Sequence, residues 1–235
     1  MDLKSIECPL CGNKGFTIEN NVVRKCVCLN KRNAMRRLEQ SGLLKSVEKY
    51  TFESFETSEP WQQRMKEIAE RYVNRGVKDG NWLYFGGQPG TGKTHLATAS
   101  LGKLAESYDI RYSVWTIEVQ QLKSVIMDAE RYHELMISLQ SVDVLFIDDL
   151  FKPGRDKNGG VQAATAADIR IAFDILNYRY INDLPTIISS EWYSRELDTV
   201  DEAVASRIFE KCGDYIVNIK RDIARNYRYR NDTII

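Results

Sequence analysis

The sequence predicts an α/β fold in which helices flank a parallel sheet and a phosphate loop binds nucleotide. Three observations carry that prediction. Gly87-Gln88-Pro89-Gly90-Thr91-Gly92-Lys93-Thr94 spells a complete G-x-x-x-x-G-K-T octet. Val142-Asp143-Val144-Leu145-Phe146-Ile147-Asp148-Asp149 is an apolar run that ends in two carboxylates. From Trp61 onward, helical and strand patterns alternate, which is the order a parallel sheet requires.

The first 45 residues stand apart. Four of the five cysteines fall within positions 8 to 28 as Cys8-Pro9-Leu10-Cys11 and Cys26-Val27-Cys28. A zinc ion needs four soft ligands in a tetrahedron, and two close pairs joined by a hairpin supply them. So short a segment has too little apolar surface to fold without a staple. Free thiols, a redox pair and an iron–sulfur centre are the competing readings. Lys31, Arg32, Arg36 and Arg37 follow in a basic run that closes at Ser41-Gly42. Residues 46–60 read as a linker with aromatic anchors at Tyr50, Phe52 and Phe55. Residues 61–235 then form the nucleotide-binding domain.

Within that domain, Trp61, Met65, Ile68, Tyr72 and Val73 make one helical stripe. Trp82-Leu83-Tyr84-Phe85 is a strand leading into the octet, and Leu96, Ala97, Leu101 and Leu104 place a helix after it. The octet's glycines let backbone N–H groups and the helix N-terminus face a phosphate. Lys93 adds a point charge, and the Thr94 hydroxyl is placed to ligate magnesium. His95 closes the nucleotide-binding stretch, although neither it nor His133 has a partner pattern for catalysis or metal. Ile110 to Trp115 reads as the next strand, followed by one long amphipathic stretch from Val119 to Met136.

Acidic residues ending a buried strand beside a phosphate loop form a Walker B arrangement. Asp148 is then the magnesium carboxylate, and Asp149 orients or deprotonates the attacking water. Leu184 to Ser190 is a later strand with hydroxyls at its tip. Spacing leaves Ser189 two readings, a sensor of the γ-phosphate or a serine that starts a turn. It also leaves Arg207 two, a surface arginine or an arginine finger. After Tyr215-Ile216-Val217-Asn218-Ile219 too little sequence follows for a full helical lid.

Residues 50 to 230 resemble the AAA+ replicative helicase loaders of the DnaC and DnaI type, bacterial and phage. The matching pieces include Tyr50-Thr51-Phe52-Glu53-Ser54-Phe55, Gly86 to Ala97, Leu145 to Leu150, Ile175 to Tyr180, Thr186 to Ser190, Ala205-Ser206-Arg207-Ile208 and Arg225-Asn226-Tyr227-Arg228. The resemblance implies an AAA+ ATPase core with a reduced lid and slow, magnesium-dependent ATP hydrolysis. It implies that Arg207 is a finger acting in trans and Arg228 a second sensor acting in cis, with Arg225 its nearest competitor. It also implies three partners: a replicative helicase docked by the zinc-bearing residues 1–45, single-stranded DNA, and further copies of the chain in the ATP state. The chain departs from the wider superfamily at Asp149, where many members carry glutamate, and at Ser189, where many carry asparagine. A transposition helper of the IstB type shares most of the core motifs, and an adaptor that binds nucleotide without hydrolysis is a third reading.

Composition narrows the remaining classes. Thirty-three basic and thirty-three acidic residues give zero net charge, so nucleic-acid contact must use local patches. Lys220, Arg221, Arg225, Arg228 and Arg230, interleaved with Tyr227 and Tyr229, make one such patch, or a solvated surface. No apolar run approaches the length of a membrane span and no signal peptide opens the chain, so the expected compartment is the cytoplasm.

Overall fold

The computed structural model of the chain describes residues 8–19, 22–40, 42–155 and 161–229. The loop stretch 156–160, Ser41, Arg230 and the side chains of Lys31 and Arg37 lie outside the described residues. The N-terminal elements are a hairpin of β1 (Phe16–Glu19) and β2 (Val22–Lys25), then α1 (Val27–Gln40) and the short α2 (Leu44–Lys49). Next come α3 (Pro60–Asn74), β3 (Leu83–Gly87), α4 (Lys93–Leu104), β4 (Ile110–Val114), α5 (Trp115–Ser124) and α6 (Ala129–Gln140). β5 (Val144–Asp148) precedes the two-residue pair β6 (Gly154–Arg155) and β7 (Val161–Gln162). The remainder is α7 (Ala166–Ile181), β8 (Thr186–Ser190), α8 (Glu202–Cys212) and β9 (Ile216–Ile219).

Five of the strands form one sheet in the order β4-β5-β8-β3-β9, every pairing parallel. Both faces are covered, which is why β3, β5 and β8 are buried throughout. Successive side chains on a strand point to opposite faces, so each strand serves two cores. Leu83, Phe85 and Phe146 pack against Met65, Leu96 and Leu101. Tyr84, Leu145, Ile147 and Ile188 pack against Leu122, Leu176 and Ile208 on the other side.

The helix starts follow from their sequences. Pro60 opens α3, where a missing N–H costs nothing, and the Gln62 side chain accepts from the Glu59 N–H at 2.7 Å. Thr165 and Asp168 cap α7 reciprocally, and Asp201 caps α8 by accepting from the Val204 N–H at 2.8 Å. The single amphipathic stretch expected between Val119 and Met136 is two helices. Asp128 accepts from the Arg131 N–H and starts α6 afresh, leaving Ile126 and Met127 exposed between them. After β9 the described chain makes only two short 3-10 turns, Ile223–Arg225 and Tyr227–Tyr229, in place of a helical lid.

The N-terminal elements do not float free of the sheet. Leu38 of α1 and Leu43 are buried in the same core as Phe52, Phe55 and Leu101. Among the described residues, no helix is long and apolar enough to cross a membrane.

Candidate nucleotide site and four-cysteine cluster

A parallel sheet places its ligand crevice at the carboxyl ends of the strands, and the phosphate loop leaves β3 there. A cavity of about 520 Å³ opens at this point, inside the range of about 300–1,000 Å³ usual for small-molecule sites. The octet from Pro89 to Thr94 forms its floor, with His95 behind it. Lys93 is buried, and its ammonium donates to the carbonyls of Gly87 and Gln88, each at 2.7 Å. Burial holds Lys93 down to about 8, while the charges of Asp149, Glu191 and Asp148 oppose that shift.

Asp148 arrives from the end of β5 with both carboxylate oxygens occupied. Oδ1 accepts from the Thr94 hydroxyl at 3.0 Å and from the Ser189 hydroxyl, and Oδ2 accepts from Tyr112 at 3.1 Å. Burial raises its pKa and the neighbouring Asp149 adds to the rise, while the Ser189 and Thr94 hydrogen bonds oppose it. A hydroxyl and a carboxylate in direct contact beside a phosphate loop are a fitting donor set for magnesium. Asp149 follows in a left-handed conformation, φ 59°, with its N–H donating to Ser189 Oγ at 3.0 Å. Ser189 is therefore fully buried, holds the Asp148–Asp149 turn from beneath, and is not among the cavity walls.

The segment after β9 reaches back over the octet. Gln88 and Asp222 exchange hydrogen bonds between side-chain amide and backbone, and the Tyr227 N–H donates to the Gly90 carbonyl at 2.9 Å. Gly90 has φ +79°, and a Cβ there would collide with the Asn226 side chain. This strap brings Arg228 to the cavity wall. Arg225 instead lies 5.3 Å from the Trp61 ring centroid, outside the cavity.

Arg207 also stands elsewhere. Its Nε donates to Asn177 at 2.9 Å, Nη1 donates to the Ala203 carbonyl at 2.7 Å, and the guanidinium sits 4.8 Å from the Phe173 ring centroid. Arg207 is thus held among Asn177, Ala203 and Phe173 and does not line its own chain's cavity.

The linker is part of the site, which its composition did not disclose. Tyr50, Ser54, Phe55 and Glu56 line the cavity. His95 Nε2 lies 2.8 Å from the Thr51 carbonyl, and its ring packs edge-on to Phe55 at 5.1 Å between centroids. Gly92 (φ +88°) is needed where Phe55 presses closest, because a Cβ would lie 2.6 Å from the ring. The aromatic spacing at Tyr50 and Phe55 was the available signal. Tyr112 and Glu191 carried none beyond their places next to strand ends, whereas Lys152 falls in the charged, glycine-rich stretch 151–160, which the sequence offers as a sensor of nucleotide state or a plain surface loop.

In the N-terminal module Cys8, Cys11, Cys26 and Cys28 are buried together, with all four sulfurs within 4.8 Å of one another. The Cys8–Cys26 and Cys11–Cys28 sulfur distances are 3.6 and 3.4 Å. A tetrahedron of thiolates about 2.3 Å from zinc has edges of about 3.8 Å, so the set fits that ion. The Gly15 N–H donates to Cys11 Sγ at 3.4 Å, and the hairpin β1–β2 carries the second pair back to the first. The arrangement leaves Leu10, Ile18, Val22 and Val23 exposed on the module's surface.

A parallel five-stranded sheet of this order, with this octet and an aspartate pair on the next strand but one, defines an AAA+ nucleotide-binding protein, and the four-cysteine cluster is an addition to that core. The chain belongs to the family of the bacterial DnaA ATPase domain, whose model matches residues 46–212. Its resemblance to the AAA+ helicase loaders of the DnaC and DnaI type also stands. It is 33% identical over 230 residues to the phage-like element PBSX protein XkdC of Bacillus subtilis, covering 93% of this chain and 84% of XkdC. It is 31% identical to the uncharacterised protein YqaM of the same organism, covering 85% of this chain and 64% of YqaM. The replicative helicase loader DnaC of Escherichia coli is 28% identical over 178 residues, 72% of this chain and 67% of DnaC. Among solved structures, the DnaC helicase loader superposes with a TM-score of 0.62 at 25% identity, covering 75% of this chain and 99% of that one. The replication initiator DnaA bound to AMPPCP and single-stranded DNA gives 0.59 at 25% identity, covering 74% of this chain and half of DnaA.

Proposed function

We propose that this protein is an ATP-switched loader that places a replicative DNA helicase on single-stranded DNA at the start of replication. The observation that carries the reading is the convergence of Lys93, Thr94, Asp148, Asp149 and Arg228 on one cavity, in a chain related to helicase loaders. Lys93 and the octet's N–H groups bind the β- and γ-phosphates. Thr94 and Asp148 hold the magnesium ion, which neutralises phosphate charge when bound. Asp149 orients a water whose oxygen attacks the γ-phosphorus in line as the bond to the β-bridging oxygen breaks. Arg228 reads the γ-phosphate in cis. Arg207, turned away from its own cavity, serves a neighbouring copy's nucleotide as a finger in an ATP-bound oligomer. Ser189 acts through Asp148 and Asp149, which its hydroxyl joins.

Residues 1–45 form the helicase-docking arm, with zinc on the four thiolates, 46–60 the linker and 61–235 the ATPase domain. The site of action is the cytoplasm, where replication takes place. Hydrolysis is slow because its product is a change of partners: ATP favours assembly on helicase and DNA, and ADP favours release. Of the relatives named above, DnaC is a helicase loader and DnaA a replication initiator, which favours this reading over a transposition helper.

The test is capture of the host's replicative helicase by the full chain in ATP and in ADP, alongside an Ile18→Ser/Val23→Ser variant. Deleting residues 1–45 is the poorer choice, because Leu38 and Leu43 belong to the core. Capture in ATP that the surface variant loses is the expected result. No capture by the wild-type chain in either nucleotide sinks the loader reading.

A further inference from the structure

Two charged groups in the cavity wall have no part in the scheme above. Lys152 lies just after β5, and Glu191 just after β8. Lys152 Nζ is 2.6 Å from Asp149 Oδ2 and 3.6 Å from Glu191 Oε1, so one ammonium stands between two carboxylates. The backbone is bent to put it there. Asp149 and Phe151 are both left-handed, φ 59° and 52°, and the Lys152 N–H donates to the Asp149 carbonyl at 3.0 Å. Such conformations are uncommon in non-glycine residues and persist only where surrounding structure fixes them. Here Ser189 and Ser190 fix them, through the Asp149 N–H and the Leu150 carbonyl.

The charges explain what the arrangement is for. Asp148, Asp149 and Glu191 face the cavity from the Walker B and β8 side, where the terminal phosphate of a nucleotide held by Lys93 and Thr94 must lie. Three carboxylates repel that phosphate. Magnesium on Thr94 and Asp148 would offset part of that repulsion. Among the described side chains on this side, Lys152 is the cation that can offset the rest, because Lys93 sits within the octet and Arg228 comes from the strap. Its side chain is 43% exposed and ends a flexible stem, so it can change partner without moving the turn.

We propose that Lys152 is a γ-phosphate ligand that also masks Asp149. In the absence of a triphosphate its ammonium pairs with the Asp149 carboxylate. When ATP binds, the γ-phosphate draws the ammonium away, and Asp149 is released to orient water. Glu191, the second carboxylate beside the ammonium, competes with the phosphate for it. The water-orienting group is thus exposed only while its substrate is present, which separates ATP from ADP by charge. The inference rests on the nucleotide-switch reading and adds to it a residue that tells the two nucleotides apart.

The experiment measures the affinities of AMPPCP and ADP, with magnesium, for the full chain and for Lys152→Met, Lys152→Gln, Lys152→Arg and Glu191→Gln. Thermal melting confirms that each variant is folded, and the two neutral replacements guard against one that is not. Lys152→Met and Lys152→Gln are expected to weaken AMPPCP about tenfold and leave ADP within about twofold. Lys152→Arg should restore most of the loss. Glu191→Gln, which removes a competitor for the ammonium, should tighten AMPPCP about threefold without moving ADP. Equal losses for both nucleotides, or no loss for AMPPCP, overturn the proposal while leaving the nucleotide switch standing. A wild-type chain that binds neither nucleotide overturns both.

Discussion

Lys93 carries the clearest consequence at the scale of single residues. Its ammonium sits at about 8 in the free chain, lowered mainly by burial. Bound phosphate favours the charged form, so the bound pKa lies above the free one. Affinity is therefore flat below about pH 8 and falls as pH rises from the free value towards the bound one, with up to about one proton taken up per nucleotide in that window. Calorimetry in two buffers of different ionisation enthalpy measures the uptake directly, and pH-independent binding between 7 and 9.5 would contradict it.

The phosphate loop and the aspartate pair were legible in the sequence because their chemistry dictates residue type and spacing together. Glu191 was not, and Lys152 only as one member of the stretch 151–160, since a charged residue past a strand end is ordinary and only the fold sets the two side by side. Arg179 shows the opposite case. Arginine usually marks a surface, and this one reads from sequence as an interface residue. It is fully buried, and donates to Thr186 and to the carbonyls of Leu139, Gln140, Val142, Asp143 and Pro185. It joins the end of α6 to the starts of β5 and β8, and burial lowers it to about 9.

Among the elements, the strands of the sheet were readable because buried parallel strands are short apolar runs. The helix break at Asp128 was missed because apolar spacing continued across it, whereas capping is decided by one side chain. The resemblance implied Arg228 at the nucleotide, but the strap's hold on the octet runs from its backbone to the Gln88 side chain and the Gly90 carbonyl, and strap backbone groups leave no mark in a pattern of residue types. Gly90 is where that hold can be broken. Gly90→Ala forces a left-handed alanine, costing about 1–2 kcal/mol, and pushes Asn226 aside. The expected outcome is a fall in stability of that order together with a weakening of ATP binding, as Arg228 loses its seat. Denaturant titration and nucleotide affinity check the two parts. A stability loss with ATP affinity unchanged would separate the strap from the site.

For the molecule as a whole, the division into a cysteine module, a linker and an ATPase domain came from composition, and three-dimensional packing shows how closely they are joined. α1 starts among the cysteines, and its Leu38 ends in the core that holds Phe55 beside Gly92. The zinc reading predicts one ion per chain by metal analysis and none in a Cys8→Ser/Cys26→Ser variant. That variant is expected to lose helicase capture while keeping nucleotide affinity within about twofold, since the four cysteines form a buried cluster of their own, apart from the two cores of the sheet. A collapse of nucleotide binding on metal loss would instead make the module part of the ATPase fold.

The strap also has a consequence in time. Gln88 and Asp222 are 134 positions apart, and each satisfies the other's hydrogen bonds. At about 5–20 residues per second, a ribosome needs roughly ten seconds between making the phosphate loop and making the segment that closes over it. β9, which flanks β3, arrives in the same late interval. The octet therefore leaves the exit tunnel long before the cavity around it exists. Nucleotide capture waits for translation to pass the strap, so a polypeptide cut short before residue 222 carries an intact motif and an unfinished switch.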